Sequence, residues 1–73
     1  MNLSPHLIVA GQTFNVLKIE RGLQVSLHLT LDRAPHLMAD NALIMVLVEG
    51  VNREPVRLVE ASEGVRLTVR RIY

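Results

Sequence analysis

Three histidines, His6, His28 and His36, are the side chains of this sequence best suited to hold a metal or to move a proton near neutral pH. No two of them stand two or four positions apart, and cysteine is absent, so neither a paired imidazole nor a thiolate ligand set is available. Ser26, His28 and Asp32 share one parity and have the composition of a hydrolytic triad. On a strand, however, same-face neighbours lie about 6.6 Å apart. An outer sheet face also supplies neither a concave pocket nor oxyanion donors. A hydrated strand face is the expectation. Glu60 and Glu63 flank Ser62 in the manner of turn residues, with no apolar run around them to shape an acid–base pocket. The glycines stand singly at positions 11, 22, 50 and 64, which excludes a phosphate-cradling loop. The pattern therefore predicts no enzyme, no metal and no cofactor.

Arginine is the more informative residue. It outnumbers lysine seven to one, Lys18 being the only lysine, and its planar fork suits paired, partly buried contacts. Arg66, Arg70 and Arg71 crowd the C-terminal segment together with Ile72 and Tyr73. Arginine, tyrosine and large aliphatics in one place are typical of the anchors of a protein interface. The rival reading is a small barrel that binds oligonucleotides with this basic strand. Such barrels stack bases on aromatic rings, and here only Phe14, which the core requires, and Tyr73 are aromatic. The net charge of +1 and three arginines would neutralise few phosphates. A protein partner is the expectation and nucleic acid the alternative.

The elements that must position these residues follow from hydrophobic periodicity. From position 23 to 32, Leu23, Val25, Leu27, Leu29 and Leu31 alternate with polar residues, the mark of a strand with one buried face. Val65, Leu67 and Val69 alternate likewise with Arg66, Thr68 and Arg70. Each segment follows a glycine, Gly22 or Gly64, and each is preceded by another strand, over 13–20 and 56–61, so two hairpins are expected. Further apolar stretches end at Gly11 and Gly50. The chain reads as three strands, a Pro35-containing connector over 32–41, and three strands again: an all-β domain, a six-stranded barrel or sandwich. Matching Val9-Ala10-Gly11 to Val48-Glu49-Gly50 suggests two similar halves, over 6–31 and 43–73, within a single domain spanning 1–73. A helix starting at Pro35 and running to Leu47 competes with the fourth strand, but Asp40-Asn41 interrupts it and Ile44, Val46 and Val48 favour strand.

Three segments break the one-sided pattern. Val16-Leu17 and Leu58-Val59 each place two apolar residues in succession, and a bulge at each pair would restore a single apolar face running through Phe14, Val16, Leu17 and Ile19. The run from 43 to 48 has no polar residue at all, so as a strand it is apolar on both sides. A 73-residue chain has little material to cover both faces, and an exposed apolar strand is an aggregation template. Ile44, Met45 and Val46, with the C-terminal arginines, Ile72 and Tyr73, are thus expected to meet a partner. Twelve leucines, ten valines and four isoleucines exceed what so thin a core needs, and no disulfide can staple it. The expectation is a structural protein that self-associates or docks on a multi-protein particle, for example as an accessory component of a viral or phage shell. Residues 1–10 make a poor signal peptide and no run approaches the ~20 residues of a membrane helix. That points to the cytoplasm or to a virion assembled there, with no membrane partner. The sequon Asn2-Leu3-Ser4 is read as coincidence.

Overall fold

A computed structural model describes residues 4–22, 25–36 and 44–72. Six strands form: β1 (His6–Val9), β2 (Gln12–Arg21), β3 (Ser26–Leu31), β4 (Ile44–Glu49), β5 (Asn52–Ser62) and β6 (Arg66–Arg71). All neighbours are antiparallel and the sheet closes on itself in the order β1-β2-β3-β6-β5-β4, a six-stranded barrel. Among the described residues no helix is long and apolar enough to cross a membrane.

Period-two alternation builds the interior. Leu27, Leu29 and Leu31 of β3 and Leu67 and Val69 of β6 point inward and are at most 2 % exposed, while Ser26, His28, Thr30, Arg66, Thr68 and Arg70 point out. Leu7, Val9, Phe14, Val16, Met45, Leu47 and Val56 complete the same cluster, and none of the buried residues described is polar or charged.

Both expected bulges form. The β2–β3 register slips between Val16 and Lys18, and the β5–β6 register slips between Leu58 and Glu60. The face they restore differs from the expectation in one respect. Leu17 is the residue pushed out and is 68 % exposed, so the apolar face passes from Phe14 and Val16 directly to the partly buried Ile19. A residue added at a bulge has no partner opposite it, and nothing requires it to follow its neighbours inward.

The turns set the strand ends. The Gly22 amide donates to the Ser26 carbonyl (2.9 Å), and β3 starts at Ser26, three residues after the position that alternation alone gives. Leu23 and Gln24 lie outside the described residues. Gly22 also has a packing role: a Cβ there would stand 2.9 Å from Nε2 of His28, whose ring lies across it. Position 43 and most of the connector are outside the described residues; from Ile44 onward the competing helix is a strand.

The pairing scheme of the first half recurs in the second. The middle pairs of the two seams that join the halves are Leu7 with Leu47 and His28 with Thr68, and 47 − 7 and 68 − 28 are both 40. Adding 40 to each number turns the four β1–β2 pairs into four of the six β4–β5 pairs, and Val16–Leu31 into Val56–Arg71. Even loop bonds repeat: Leu31 N to Val65 O matches Arg71 N to Val25 O, and Asp32 N to Asn15 O matches Ile72 N to Pro55 O. Within the ladders that follow, the bulge departs, at Leu17 in β2 and, two positions beyond its counterpart, at Val59 in β5. The displacement is thus a constant 40, where motif matching gives 39 and then 42.

The β1–β2 turn offers a direct test. Ala10 (φ 49°) and Gly11 (φ 78°) both hold positive φ, as a two-residue type I′ hairpin requires. Gly11 takes this freely, whereas the Cβ of Ala10 costs about 1 kcal/mol. Ala10→Asn should therefore raise the unfolding free energy by about 0.5–1 kcal/mol, read as a higher urea midpoint with unchanged slope. An unchanged or lower midpoint would contradict the turn geometry.

Candidate functional site

Charge gathers at one end of the barrel. At the first mouth, in positions related by the displacement of 40 residues, stand Val9, Phe14, Leu31 and Ala61. Phe14 closes that end, with the Arg33 guanidinium 4.4 Å above its ring and donating to the Thr13 carbonyl (3.1 Å). The counterparts at the second mouth are Glu49, Glu54, Arg71 and Arg21. Glu54 and Arg71 approach to 2.9 Å, each about one-third exposed, and Arg21 reaches Glu49 at 3.6 Å. One barrel thus has an apolar end and a charged end, built on the same backbone scheme.

The charged end opens into two adjoining hollows. The first, about 470 Å³, is lined by Arg21, Arg53, Arg71, Glu49 and Glu54 among others. The second, also about 470 Å³, is lined by Val25, Arg57, Arg70, Arg71 and Ile72. Five of the seven arginines stand around these two hollows, against two of the seven acids. Arg57 on β5 and Arg70 on β6 are direct cross-strand partners. Like charges so placed repel, and among the described residues neither has a carboxylate within ion-pair distance.

The second candidate surface is the outside of β4. Its run of apolar residues is divided by the pleat. Met45 and Leu47 point inward and are 0 % and 1 % exposed, and Ile44, Val46 and Val48 point outward. Met45 is therefore a core residue and not a partner contact, because the inward parity of the fourth strand falls on odd numbers. Val48 is only 5 % exposed, flanked by His6 on β1 and Arg53 on β5, so the chain covers part of this face by itself. Ile44 is 55 % exposed beside Arg57. Val46 sits between Ile8 of β1 and Pro55 of β5, which makes an apolar row across three strands.

Of the described C-terminal residues, Arg70, Arg71 and Ile72 border one hollow and Arg66 stands apart from it. Arg66 is outward and pairs with Glu63 (3.7 Å), Arg70 is outward beside Arg57, and Arg71 turns to the mouth. Ile72 is partly buried at the edge of both hollows, and Tyr73 lies outside the described residues. Arg57, Arg53 and Arg21 were not singled out by sequence reasoning, and no local signal marks them: their proximity to Arg70 and Arg71 comes from strand register.

The remaining candidates separate. Both Asp32 carboxylate oxygens accept from Asn15, one from its amide N–H (3.2 Å) and one from its side chain (3.1 Å). His28 Nδ1 lies 3.0 Å from the Thr68 hydroxyl, so the Ser26, His28 and Asp32 set makes no relay. His6 contacts the Ser4 carbonyl (3.3 Å) and His36 lies near Phe14. Among the described residues no three His, Cys, Asp or Glu side chains gather as a metal set would. Comparison with protein-family models, curated proteins and solved structures finds no match for this chain.

Replacing the charged mouth by its apolar counterpart tests how the halves are built. The double substitution Glu54→Phe, Arg71→Leu copies Phe14 and Leu31 and should leave stability unchanged or raise it, since a partly buried ion pair gains little over apolar packing. Glu54→Phe alone should cost about 1–3 kcal/mol by removing the carboxylate beside Arg71. Denaturant midpoints of both variants measure this, and a double variant less stable than the single one contradicts the correspondence.

Proposed function

We propose that this protein is a non-catalytic assembly module, which packs against copies of itself within a multi-protein particle through the outside of β4 and its neighbours. The observation that carries the reading is the apolar row Ile8, Val46 and Pro55 with the half-exposed Ile44 beside it. Closure of the barrel directs how such contact is made. Every strand has two hydrogen-bonded neighbours, so a partner meets side chains and not a free strand edge. Outward aliphatics on a closed barrel contribute nothing to its interior. Covering Ile44 in an interface would contribute about 1 kcal/mol per copy, given that part of it is already shielded. The cytoplasm, or a particle assembled there, is the setting this reading implies.

The nucleic-acid reading draws on the same arginines, and less supports it. Of the three arginines of β6, Arg66 and Arg70 point outward four positions apart and Arg71 turns to the mouth, and two of them have glutamate partners. No aromatic residue lines either arginine hollow among the described residues, so base stacking lacks a platform.

Sedimentation over a range of concentrations tests the assembly reading. The wild type should show mass above a single chain and a melting temperature that rises with concentration. Ile44→Asp should keep the fold and weaken association about a hundredfold, whereas Met45→Asp should prevent folding because it places a charge in a dry core. A wild type that remains a single chain at all concentrations would defeat the proposal.

A further inference from the structure

The hollow between β5 and β6 has a chemistry that the barrel itself does not use. Arg57 and Arg70 face each other across the strand pair, at a Cβ separation of about 5 Å for such neighbours, and like charges there oppose folding. The pair meets no counter-charge among the described residues, although glutamates elsewhere on the surface do pair with Lys18, Arg21, Arg66 and Arg71. Two arginines on directly opposed positions that line one hollow can both donate to a single oxyanion. The surroundings narrow the choice of oxyanion. Val25 and Ile72 form walls of the hollow, and Ile44 stands directly opposite Arg57 on the β4 side, continuing into the apolar outer strip. A ligand that fits presents a carboxylate flanked by aliphatic groups. A bare phosphodiester backbone would leave those aliphatics uncovered, and among the described residues of the hollow no ring offers its bases a platform.

We propose that Arg57 and Arg70 form a docking site for a carboxylate-bearing segment of a partner protein, in which acidic residues alternate with aliphatic ones. The acidic side chains take the two guanidinium groups, and the aliphatic ones pack on Ile44, Val25 and Ile72. This rests on the reading of the protein as a protein-binding module and names the chemistry of what it binds.

The probes are a capped Leu-Glu-Leu-Glu-Leu peptide, its analogue with glutamine in place of glutamate, and a short oligothymidylate, each titrated into the full chain and followed by amide shifts. The acidic peptide should bind one to one and shift residues around Arg57, Arg70 and Ile72, with the glutamine analogue failing to do so. R57Q/R70Q should weaken that binding at least about tenfold, while Arg66→Gln leaves it unchanged. The same double variant should melt at a higher temperature than the wild type, because removing opposed like charges relieves the strand pair. A merely structural arginine pair would lose stability instead. Unchanged binding in R57Q/R70Q, equal binding of the glutamine analogue, or no binding of the acidic peptide overturns the proposal. Tighter binding of oligothymidylate than of the acidic peptide overturns it in favour of a phosphodiester ligand. Peptide binding and concentration-dependent mass are read separately, so loss of one without the other distinguishes failure of this site from failure of the assembly reading.

Discussion

Two seams hold this protein together. β1 pairs with β4 and β3 with β6, and through these ladders the first and second halves become one closed cylinder. Without them each half is a three-stranded meander with two open edges and one apolar face in water, which has little stability of its own. With them the aliphatic faces share one interior in which none of the buried residues described is polar or charged. Closure also consumes every strand edge, and so limits the ways in which the outside can interact. Only side chains remain to meet a partner.

The seams are also the places where the twofold relation of the pairing is centred, at Leu7 with Leu47 and at His28 with Thr68. Strand pairing is repeated, apart from the displaced bulge, while chemistry is not. Where the first half ends in Phe14 and Leu31, the second ends in Glu54 and Arg71. The first mouth is sealed by an aromatic ring under an arginine, and the second by ion pairs beside a further pair of arginines that meets no carboxylate among the described residues. A fold needs its registers and its interior volume, and both mouths satisfy these. Residues at a barrel end are half in solvent, so they can diverge at small cost to stability. The charged mouth and the outside of β4 adjoin through Ile44 and Arg57, which places apolar and basic groups on one continuous surface.

Much of the architecture could be read from spacing. Alternation in β3 and β6 identified their inward residues, and adjacent apolar pairs identified both bulges, because each signal is local. The run in β4 illustrates the opposite case. With no polar residue to mark the outer face, the phase of Met45 against Ile44 is set only by which side the partners β1 and β5 leave open. The same holds for the arginines. Arg70 and Arg71 are adjacent in sequence and leave the strand on opposite sides to border one hollow, whereas Arg66 is held apart by its pairing with Glu63 across a turn. Arg57 and Arg70 are 13 positions apart and meet through a register that a bulge two residues farther along β5 adjusts. Long-range register has no signature in composition or periodicity, and the candidate site is made of it.

The central claim is that association uses the outer residues of a barrel that stays closed. Methyl and amide NMR spectra across a dilution series test it most directly. The account predicts concentration-dependent shifts for the methyl groups of Ile8, Ile44 and Val46, with those of Leu7, Leu29 and Leu47 unmoved and the amides of both seams protected from exchange throughout. Spectra independent of concentration, or shifts in the inward methyls with loss of protection in β1 and β4, would contradict it.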